Sequence, residues 1–280
     1  MNKIFVFGSS GFVGRAICSL LKSVGETIVE IDRRAFSRFQ NNPDEFRGIL
    51  TPTDVIIFCS AIVPAKDNKD FSDNIILVKD LIELIGSSEF QYLLNVSSDA
   101  VYGDYDRPIS EADDPKPASI HGMMHFSREF LLNYSYSQIL GNLRPTLIYG
   151  PGDSHNSYGP NRFLRQGLAN SPIQVYGKGE ERRDHIFIED VAKIVYKMIQ
   201  ARFVGNLNAA TGQIIDYKTI ALDVQSRIPN SQINFIGRIE TSLPHNGYRE
   251  FDISKLRTII AHDNLVDIKN GITKTLLKGI

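Results

Sequence analysis

The chain has 280 residues, of which 42% are hydrophobic and 22% are charged, and its formal net charge at pH 7 is −1. This length is sufficient to bury a large core, and without a basic surplus the composition gives no indication of nucleic-acid binding. No apolar run approaches bilayer-spanning length, and the first apolar run leads into a glycine turn instead of a signal-peptide cleavage site. We therefore predict a globular cytoplasmic protein with neither a nucleic-acid nor a membrane partner.

The first predicted element is an apolar strand that stops at a glycine-rich turn. Residues 4–7 form the continuous apolar run of a parallel strand buried on both faces, and Gly8, Gly11 and Gly14 follow. A helix predicted over 12–24 begins with free N–H groups and the positive end of its dipole, where a pyrophosphate binds. The spacing G-x-x-G-x-x-G departs from the commoner G-x-G-x-x-G. The predicted cofactor-binding residues of this turn are Gly8, Ser10, Gly11, Phe12, Val13 and Gly14.

The second predicted strand, over 27–31, ends in Asp32, which is placed to bind the ribose hydroxyls of a dinucleotide. Together with the glycine turn, this acid predicts a dinucleotide site. A carboxylate repels a 2′-phosphate, so Asp32 favours NAD. Arg33 and Arg34 follow at once and could bind that phosphate, which keeps NADP as an alternative.

Strands and helices continue to alternate up to residue 96, which predicts a Rossmann-like, doubly wound parallel sheet of the α/β class. A strand over 54–59 ends at Ser60 and Ala61, small residues at the edge where cofactors lie in such sheets. We include both in the predicted cofactor site. The other elements predicted here are a loosely helical stretch over 35–50, a helix over 74–85 and a strand over 91–96.

Several motifs follow one another in the order of a known family. They are GSSGFVG at 8–14, SSDAVYG at 97–103, RPTLIYGPGDSH at 144–155 and YGKGEERRDHIFIEDVA at 176–192. From residue 3 to about 256, the chain resembles the extended short-chain dehydrogenase/reductase family, the NAD-dependent epimerase/dehydratases that act on nucleotide-activated sugars. The resemblance implies bound NAD(H), a nucleotide-diphosphate sugar as substrate and a smaller α+β substrate lobe.

The SSDAVYG motif carries the first catalytic residues that the resemblance implies. Ser98 occupies the position of the family serine or threonine that hydrogen-bonds the reacting sugar oxygen. Asp99 matches the acid of the sugar 4,6-dehydratases, whose next residue is glutamate, but here that residue is Ala100. The alternative for Ser98 and Asp99 is a strand-end turn or a helix cap.

The family's Tyr-x-x-x-Lys is absent, and its two positions are occupied by His121 and His125. His121 could replace the tyrosine, because an imidazole titrates near pH 6.5 without help whereas a phenol needs a cationic neighbour. His125 lies one turn further on the same face and could hydrogen-bond the nicotinamide ribose. Alternatively, the pair binds metal, which we do not predict because no third ligand is evident, or it is structural in a protein without turnover.

The resemblance also indicates substrate-binding residues further along the chain. Asn161 and Arg162 begin a helix that lies over the nucleotide in the family. Arg183 matches the family arginine that binds the diphosphate, and Arg249 resembles its second arginine. A guanidinium suits this role because it stays charged and binds phosphate oxygens in pairs.

The predicted division of the chain follows from these motifs. Residues 1–150 with 184–210 form the NAD-binding domain, and 151–183 with 211–280 form the substrate lobe. We predict a single strand over 141–149 just before the first crossing between them.

The predicted function is hydride transfer at C4 of a nucleotide sugar, as a 4-epimerase or a 4-ketoreductase. Ser98 would position the oxygen, His121 would carry the proton, and Asp99 would be a reserve acid/base. Dehydration has less support because Ala100 supplies no second acid/base group. A non-catalytic NAD-binding protein is the alternative class. Family resemblance further suggests a homodimer formed through the helices over 74–85 and 119–134.

Overall fold

The computed structural model describes residues 2–86, 88–238, 243–261 and 264–280. The strands are β1 (Lys3–Phe7), β2 (Thr27–Ile31), β3 (Val55–Phe58), β4 (Tyr92–Val96), β5 (Leu140–Pro145), β6 (Leu147–Tyr149), β7 (Ile173–Tyr176), β8 (Arg182–Phe187), β9 (Gly205–Ala209), β10 (Ile214–Asp216), β11 (Ile233–Ile236) and β12 (Tyr248–Arg249). The helices are α1 (Phe12–Ser23), α2 (Arg33–Asn41), α3 (Pro43–Arg47), α4 (Asn68–Ile85), α5 (Ile120–Tyr136), α6 (Pro160–Leu168), α7 (Ile188–Ala201), α8 (Tyr217–Arg227), α9 (Ser254–Ile260) and α10 (Ile268–Lys278). Short 3-10 turns lie at Asp99–Val101 and Pro244–Gly247.

The central sheet has six strands in the order β2-β1-β3-β4-β5-β9, and every neighbouring pair is parallel. The strand order reverses direction at β1, as in doubly wound sheets, where ligands bind outside the carboxyl ends of the strands. This architecture confirms the predicted Rossmann-like α/β fold.

The first strand illustrates why both faces of this sheet are covered. Alternate residues of a strand point to opposite faces. Ile4 and Val6 join the core formed with α1 and α7, whereas Phe5 and Phe7 join the core beneath α2, α3, α4 and α5. The apolar run in the sequence is therefore continuous because both faces of this strand are buried.

The chain leaves the central sheet at Thr146, where the sequence predicts an uninterrupted strand. The prediction of one strand over 141–149 is wrong, because β5 lies in the central sheet and β6 pairs with β8 in a separate sheet with β10 and β12. The Thr146 N–H donates to the Ala209 carbonyl at 3.0 Å, and its hydroxyl donates to Asp184 at 3.2 Å. These bonds fix the crossing. The third sheet pairs β11 with β7.

The start of α4 differs from the prediction because of a side-chain N-cap. The helix predicted over 74–85 begins at Asn68, because the Asp67 carboxylate accepts a hydrogen bond from the Asp70 N–H at 2.9 Å. The loosely helical stretch over 35–50 contains α2 and α3. In the part of the chain that the structure describes, no helix is both long and apolar enough to cross a lipid bilayer.

A buried ion pair attaches α5 to the central sheet. The Arg144 guanidinium on β5 donates two hydrogen bonds to the Glu129 carboxylate on α5, at 2.6 and 3.0 Å, and both side chains are buried. Arg144 also donates to the Tyr102 hydroxyl at 2.8 Å. In addition, Gly122 allows α5 to approach the backbone of Ala100, since a Cβ at this glycine would overlap the Ala100 carbonyl oxygen. The ion pair with β5 and the close contact with Ala100 together fix the position of α5.

We expect Gly14→Ala to destabilise the protein by about 1–3 kcal/mol, because a Cβ on this buried glycine would overlap the Gly8 carbonyl oxygen and the backbone would have to move. Chemical denaturation measures the loss. Gly237→Ala is the matched control, since nothing lies within 4 Å of its added Cβ. Equal stability of the two variants would contradict the close backbone contact.

Candidate active site

The glycine turn after β1 forms a backbone cradle at the N-terminus of α1. Gly8 has φ of +89°, and a Cβ there would lie 2.7 Å from the Ser60 amide nitrogen. The Gly11 N–H donates to the Gly8 carbonyl at 3.0 Å, and no side chain caps α1 at Gly11. The glycines thus let the turn pack closely against neighbouring backbone, and the uncapped N-terminus of α1 fits a pyrophosphate.

Other predicted cofactor residues surround this cradle. Asp32 is the N-cap of α2, where one carboxylate oxygen accepts from the Ala35 N–H at 2.8 Å. The cap orients the carboxylate at the carboxyl end of β2, where a ribose would bind. Ser10 is exposed and its carbonyl accepts a hydrogen bond from Arg15 at 2.6 Å. Phe12 and Val13 are partly buried in the first turn of α1, and Arg33 and Arg34 are exposed in the first turn of α2.

The loop after β3 connects the cofactor edge to the histidines. Ser60 and Ala61 are partly buried at its start, next to Gly8. Asn74 on α4 holds the loop by accepting from the Ile62 N–H and donating to the Ile62 carbonyl, both at 2.9 Å. Further along, the Ala65 N–H donates to Nδ1 of His121 at 3.4 Å.

Ser98 and Asp99 lie at the carboxyl end of β4, as predicted. The Ser98 hydroxyl accepts from the Ala100 N–H at 3.1 Å and so caps the 3-10 turn. This local role is the alternative that the sequence left open. The hydroxyl remains partly accessible and lies 3.5 Å from the Asp99 carboxylate, so a cap and a substrate contact are compatible.

Arg249, which is predicted to bind the diphosphate, makes its hydrogen bonds with the loop after β4. Its side chain is only 1% exposed, its Nε donates to the Asp99 carboxylate at 2.8 Å, and its Nη2 donates to the Asp99 carbonyl at 2.6 Å. Nη1 donates to the Gly103 carbonyl at 3.1 Å and to Asp104 at 3.2 Å. All three nitrogens therefore hold the loop after β4, and Arg249 is a loop anchor here. This pairing could not be predicted from the sequence, because 150 residues separate the partners.

The two histidines of α5 are in direct contact. Their ring centroids are 4.7 Å apart with an interplanar angle of 87°. His121 is partly buried, whereas His125 is buried and its Nδ1 has no hydrogen-bond partner among the described residues. The predicted common face of the two histidines is thus borne out by the geometry.

Burial keeps both imidazoles uncharged. It lowers the pKa of His121 below its usual value, while Asp99 raises this pKa and the Arg128 guanidinium lowers it. Burial lowers the pKa of His125 well below its usual value, and Arg128 and His121 act in the same direction. At neutral pH, His121 is therefore a neutral group that can accept or donate a proton.

The side chain of Asn161 is buried and engaged by the backbone before α6. Its amide nitrogen donates to the Gly150 carbonyl at 2.7 Å and to the Asp153 carboxylate at 3.1 Å, and its oxygen accepts from the Gly150 N–H at 3.2 Å. Both amide hydrogens are used, so Asn161 shapes the loop. The amide nitrogen of Asn161 therefore has no hydrogen free to donate to the predicted substrate. Arg162 is partly buried and donates to Gln174 at 3.3 Å.

Arg183 belongs to a cationic cluster that the sequence reveals only in part. Arg183 contacts the buried Glu181 carboxylate at 3.2 Å, and Arg238 contacts the same carboxylate at 3.5 Å. Nε and Nη2 of Arg238 are buried without a partner among the described residues. Two guanidiniums share one carboxylate, which leaves a net positive charge suited to a diphosphate. Arg238 could not be predicted from the sequence. It follows β11, and only the pairing of β11 with β7 brings it beside Glu181.

The parallel sheet, the uncapped helix N-terminus and the acid after the second strand define a dinucleotide-binding α/β protein. Comparison with family models then shows that the chain belongs to the NAD dependent epimerase/dehydratase family, whose model matches residues 4–210. This confirms the resemblance seen in the motifs, and NAD as the cofactor.

Individual relatives have low sequence identity to this chain, but their alignments cover nearly all of it. An uncharacterised UDP-glucose epimerase of Bacillus subtilis, YtcB, is 23% identical and the match covers 98% of this chain and 96% of that protein. The UDP-glucuronic acid 4-epimerase of Bacillus cereus, solved with UDP-glucuronic acid and NAD, superposes with a TM-score of 0.82 at 21% identity, covering 99% and 98% of the two chains. TunA, an NAD-dependent NDP-hexosamine 5,6-dehydratase, gives 0.82 at 18% identity, with 99% and 97% covered. At these identities the solved structures establish the fold.

We expect Arg249→Gln to destabilise the protein by about 3 kcal/mol, because the buried Asp99 carboxylate loses its guanidinium partner. Thermal and urea unfolding measure the loss. Arg183→Gln is the comparison, since its partner Glu181 keeps Arg238 and the stability loss is smaller. Full stability of Arg249→Gln together with poor binding of nucleotide sugars would instead support a phosphate contact for Arg249.

Proposed function

We propose that this protein is an enzyme that uses NAD(H) to oxidise or reduce a nucleotide-diphosphate sugar at C4, as a 4-epimerase or a 4-ketoreductase. The observation that carries the proposal is the placement of a neutral imidazole, His121, at the sheet edge that also holds Ser98 and the glycine cradle. Family membership and the UDP-sugar substrates named for the relatives support the substrate class.

Bound NAD supplies the hydride acceptor and donor for this chemistry. The glycine cradle and Asp32 would hold its pyrophosphate and adenosine ribose, and His125 would hydrogen-bond the nicotinamide ribose in place of a lysine. The Ser98 hydroxyl would donate to the C4 oxygen and fix its position, while Arg249 keeps Asp99 and the loop after β4 in place.

His121 is the proposed proton carrier. Because Nδ1 accepts from Ala65, the neutral ring carries its hydrogen at Nε2 and donates to the sugar oxygen. To accept the hydroxyl proton at Nε2, the ring must carry its hydrogen at Nδ1 and release Ala65. The bond to Ala65 is long, at 3.4 Å, so little hydrogen-bond energy is lost when the ring releases it. The same nitrogen returns the proton when the ketone is reduced.

The cationic cluster is the proposed diphosphate site. Arg183 and Arg238 would bind the phosphate oxygens, and Glu181 holds both guanidiniums in position. We place Arg162 at the nucleotide end, since its guanidinium lies over the Tyr176 ring at 5.9 Å. In this proposal, residues 1–150 with 184–210 bind NAD, and 151–183 with 211–280 bind the sugar nucleotide.

Two alternatives remain as outcomes of the test. A dehydratase would need a second acid/base group, and Ala100 supplies none. A non-catalytic NAD-binding protein is favoured by the loss of Tyr-x-x-x-Lys, but it would have no use for the two guanidiniums at Glu181.

To test the enzyme proposal, the purified protein is examined for bound nicotinamide and then mixed with a panel of nucleotide sugars, while the cofactor spectrum and the products are followed. Cofactor binding without any sugar-nucleotide response would refute the enzyme proposal.

We expect His121→Ala to lower turnover by at least about 100-fold while NAD affinity is unchanged, because a proton carrier is lost and no cofactor contact is removed. His125→Ala should weaken NAD binding by about fivefold through loss of a hydrogen bond. Steady-state kinetics and calorimetric titration with NAD separate the two effects. Near-full activity of His121→Ala would show that Asp99 or a water moves the proton.

We also propose a homodimer formed through α4 and α5. Their outer faces expose apolar side chains, with Ile76 51%, Phe130 63% and Tyr134 86% exposed, and such patches mark contact surfaces. Phe130→Glu should convert the dimer to a monomer, as measured by analytical ultracentrifugation, because a charge cannot be buried unpaired at the interface. Leu277→Glu on α10, 82% exposed and outside this surface, is the control. A monomeric wild-type protein would refute the dimer.

A further inference from the structure

Arg128 on α5 and Arg144 on β5 are both buried, but among the described residues only Arg144 has a charged partner. Arg144 is paired with Glu129. Arg128 is fully buried, and among the described residues its hydrogen bonding is limited to Nη1 donating to Asn74 at 3.4 Å. Nε and Nη2 of Arg128 have no partner within that part of the chain. Its guanidinium carbon lies 4.6 Å from the centroid of the Phe58 ring.

This environment stabilises the charge only in part. Burial lowers the pKa of Arg128 to about 10, so the group is still protonated at neutral pH. An aromatic face and one long hydrogen bond replace a fraction of the lost hydration. Folding therefore keeps in the interior a positive charge that no described carboxylate compensates. A buried charge of this kind lowers the stability of the fold, and such costs are typical of functional sites.

Arg128 lies on the same helix as the two histidines. Arg128 follows His125 by three residues and His121 by seven, so all three share one face of α5. Other elements contribute Asp99, which faces His121 from the turn after β4, and Cys59, which faces Arg128 from the end of β3. Burial raises the pKa of the Cys59 thiol to about 12, so this group stays neutral and offers no counter-charge.

We propose that Arg128 supplies the fixed positive charge of the active site, in place of the lysine that this chain lacks, and acts on the substrate through His121. Its role in catalysis rests on the proposed function. Arg128 is a positioning residue, because its side chain is fully buried and it acts through His121. The charge of Arg128, two helical turns from His121 on the same face of α5, disfavours the imidazolium, which keeps the ring ready to accept the sugar hydroxyl proton.

The test compares Arg128→Met and Arg128→Lys in the holoenzyme. Methionine removes the charge but fills the space, and lysine keeps the charge. In Arg128→Met, the pKa of His121 should rise, so the acid limb of the kcat/KM profile moves to higher pH by on the order of one unit. In Arg128→Lys, the limb should stay close to that of the wild type. An unmoved limb in a folded Arg128→Met, or equal shifts in both variants, would overturn the proposal.

Stability provides a second readout with a matched control. Removal of an unpaired buried charge should leave Tm unchanged or raise it in Arg128→Met. Arg144→Met leaves Glu129 buried without its partner, so its Tm should fall by roughly 10 °C. A comparable fall in both variants would mean that Arg128 is an ordinary structural residue.

NMR distinguishes failure of this inference from failure of the proposed function. The chain has six histidines, and His121→Gln assigns the His121 ring signal in protein labelled at histidine. Titration of that signal in wild type and Arg128→Met needs no substrate. A higher His121 pKa in Arg128→Met supports the electrostatic role even when no nucleotide sugar is turned over, and an unchanged pKa refutes it.

Discussion

The buried ion pair between Glu129 and Arg144 is the interaction on which the geometry of the site depends. It joins α5 to β5 through two short hydrogen bonds and leaves the first turns of the helix over the carboxyl edge of the sheet. The His121 and His125 rings lie on those turns. A pair of this kind contributes little net stability, because both groups lose hydration, but it tolerates few alternative arrangements. It therefore acts mainly as a positional constraint.

Three buried arginines near the site differ in how their charge is balanced. Arg144 has a carboxylate on the neighbouring helix, and Arg249 has the Asp99 carboxylate with surrounding carbonyls. Arg128 has one amide oxygen and an aromatic face. The first two fix backbone segments, whereas the third leaves a charge that acts on its neighbours. The same residue type thus serves structure and electrostatics, and its partners decide which.

Motifs with local geometry were the predictable part of the site. The glycine turn, Asp32 and the Ser98-Asp99 pair lie at the carboxyl edge, since each directly follows its own strand. Contacts between distant segments were not predictable. The anchoring of Asp99 by Arg249, and the arrival of Arg238 at Glu181, depend on the pairing of short strands whose sequences carry weak signals.

By itself, the sequence determined the parallel α/β sheet and the glycine turn of a dinucleotide site, because periodicity, glycine spacing and motif order are local properties. Only the tertiary structure decided that the chain changes sheets at Thr146 and that no carboxylate of the described residues pairs with the buried Arg128. Burial and charge balance are properties of everything that packs around a side chain, and the linear order of residues does not contain them.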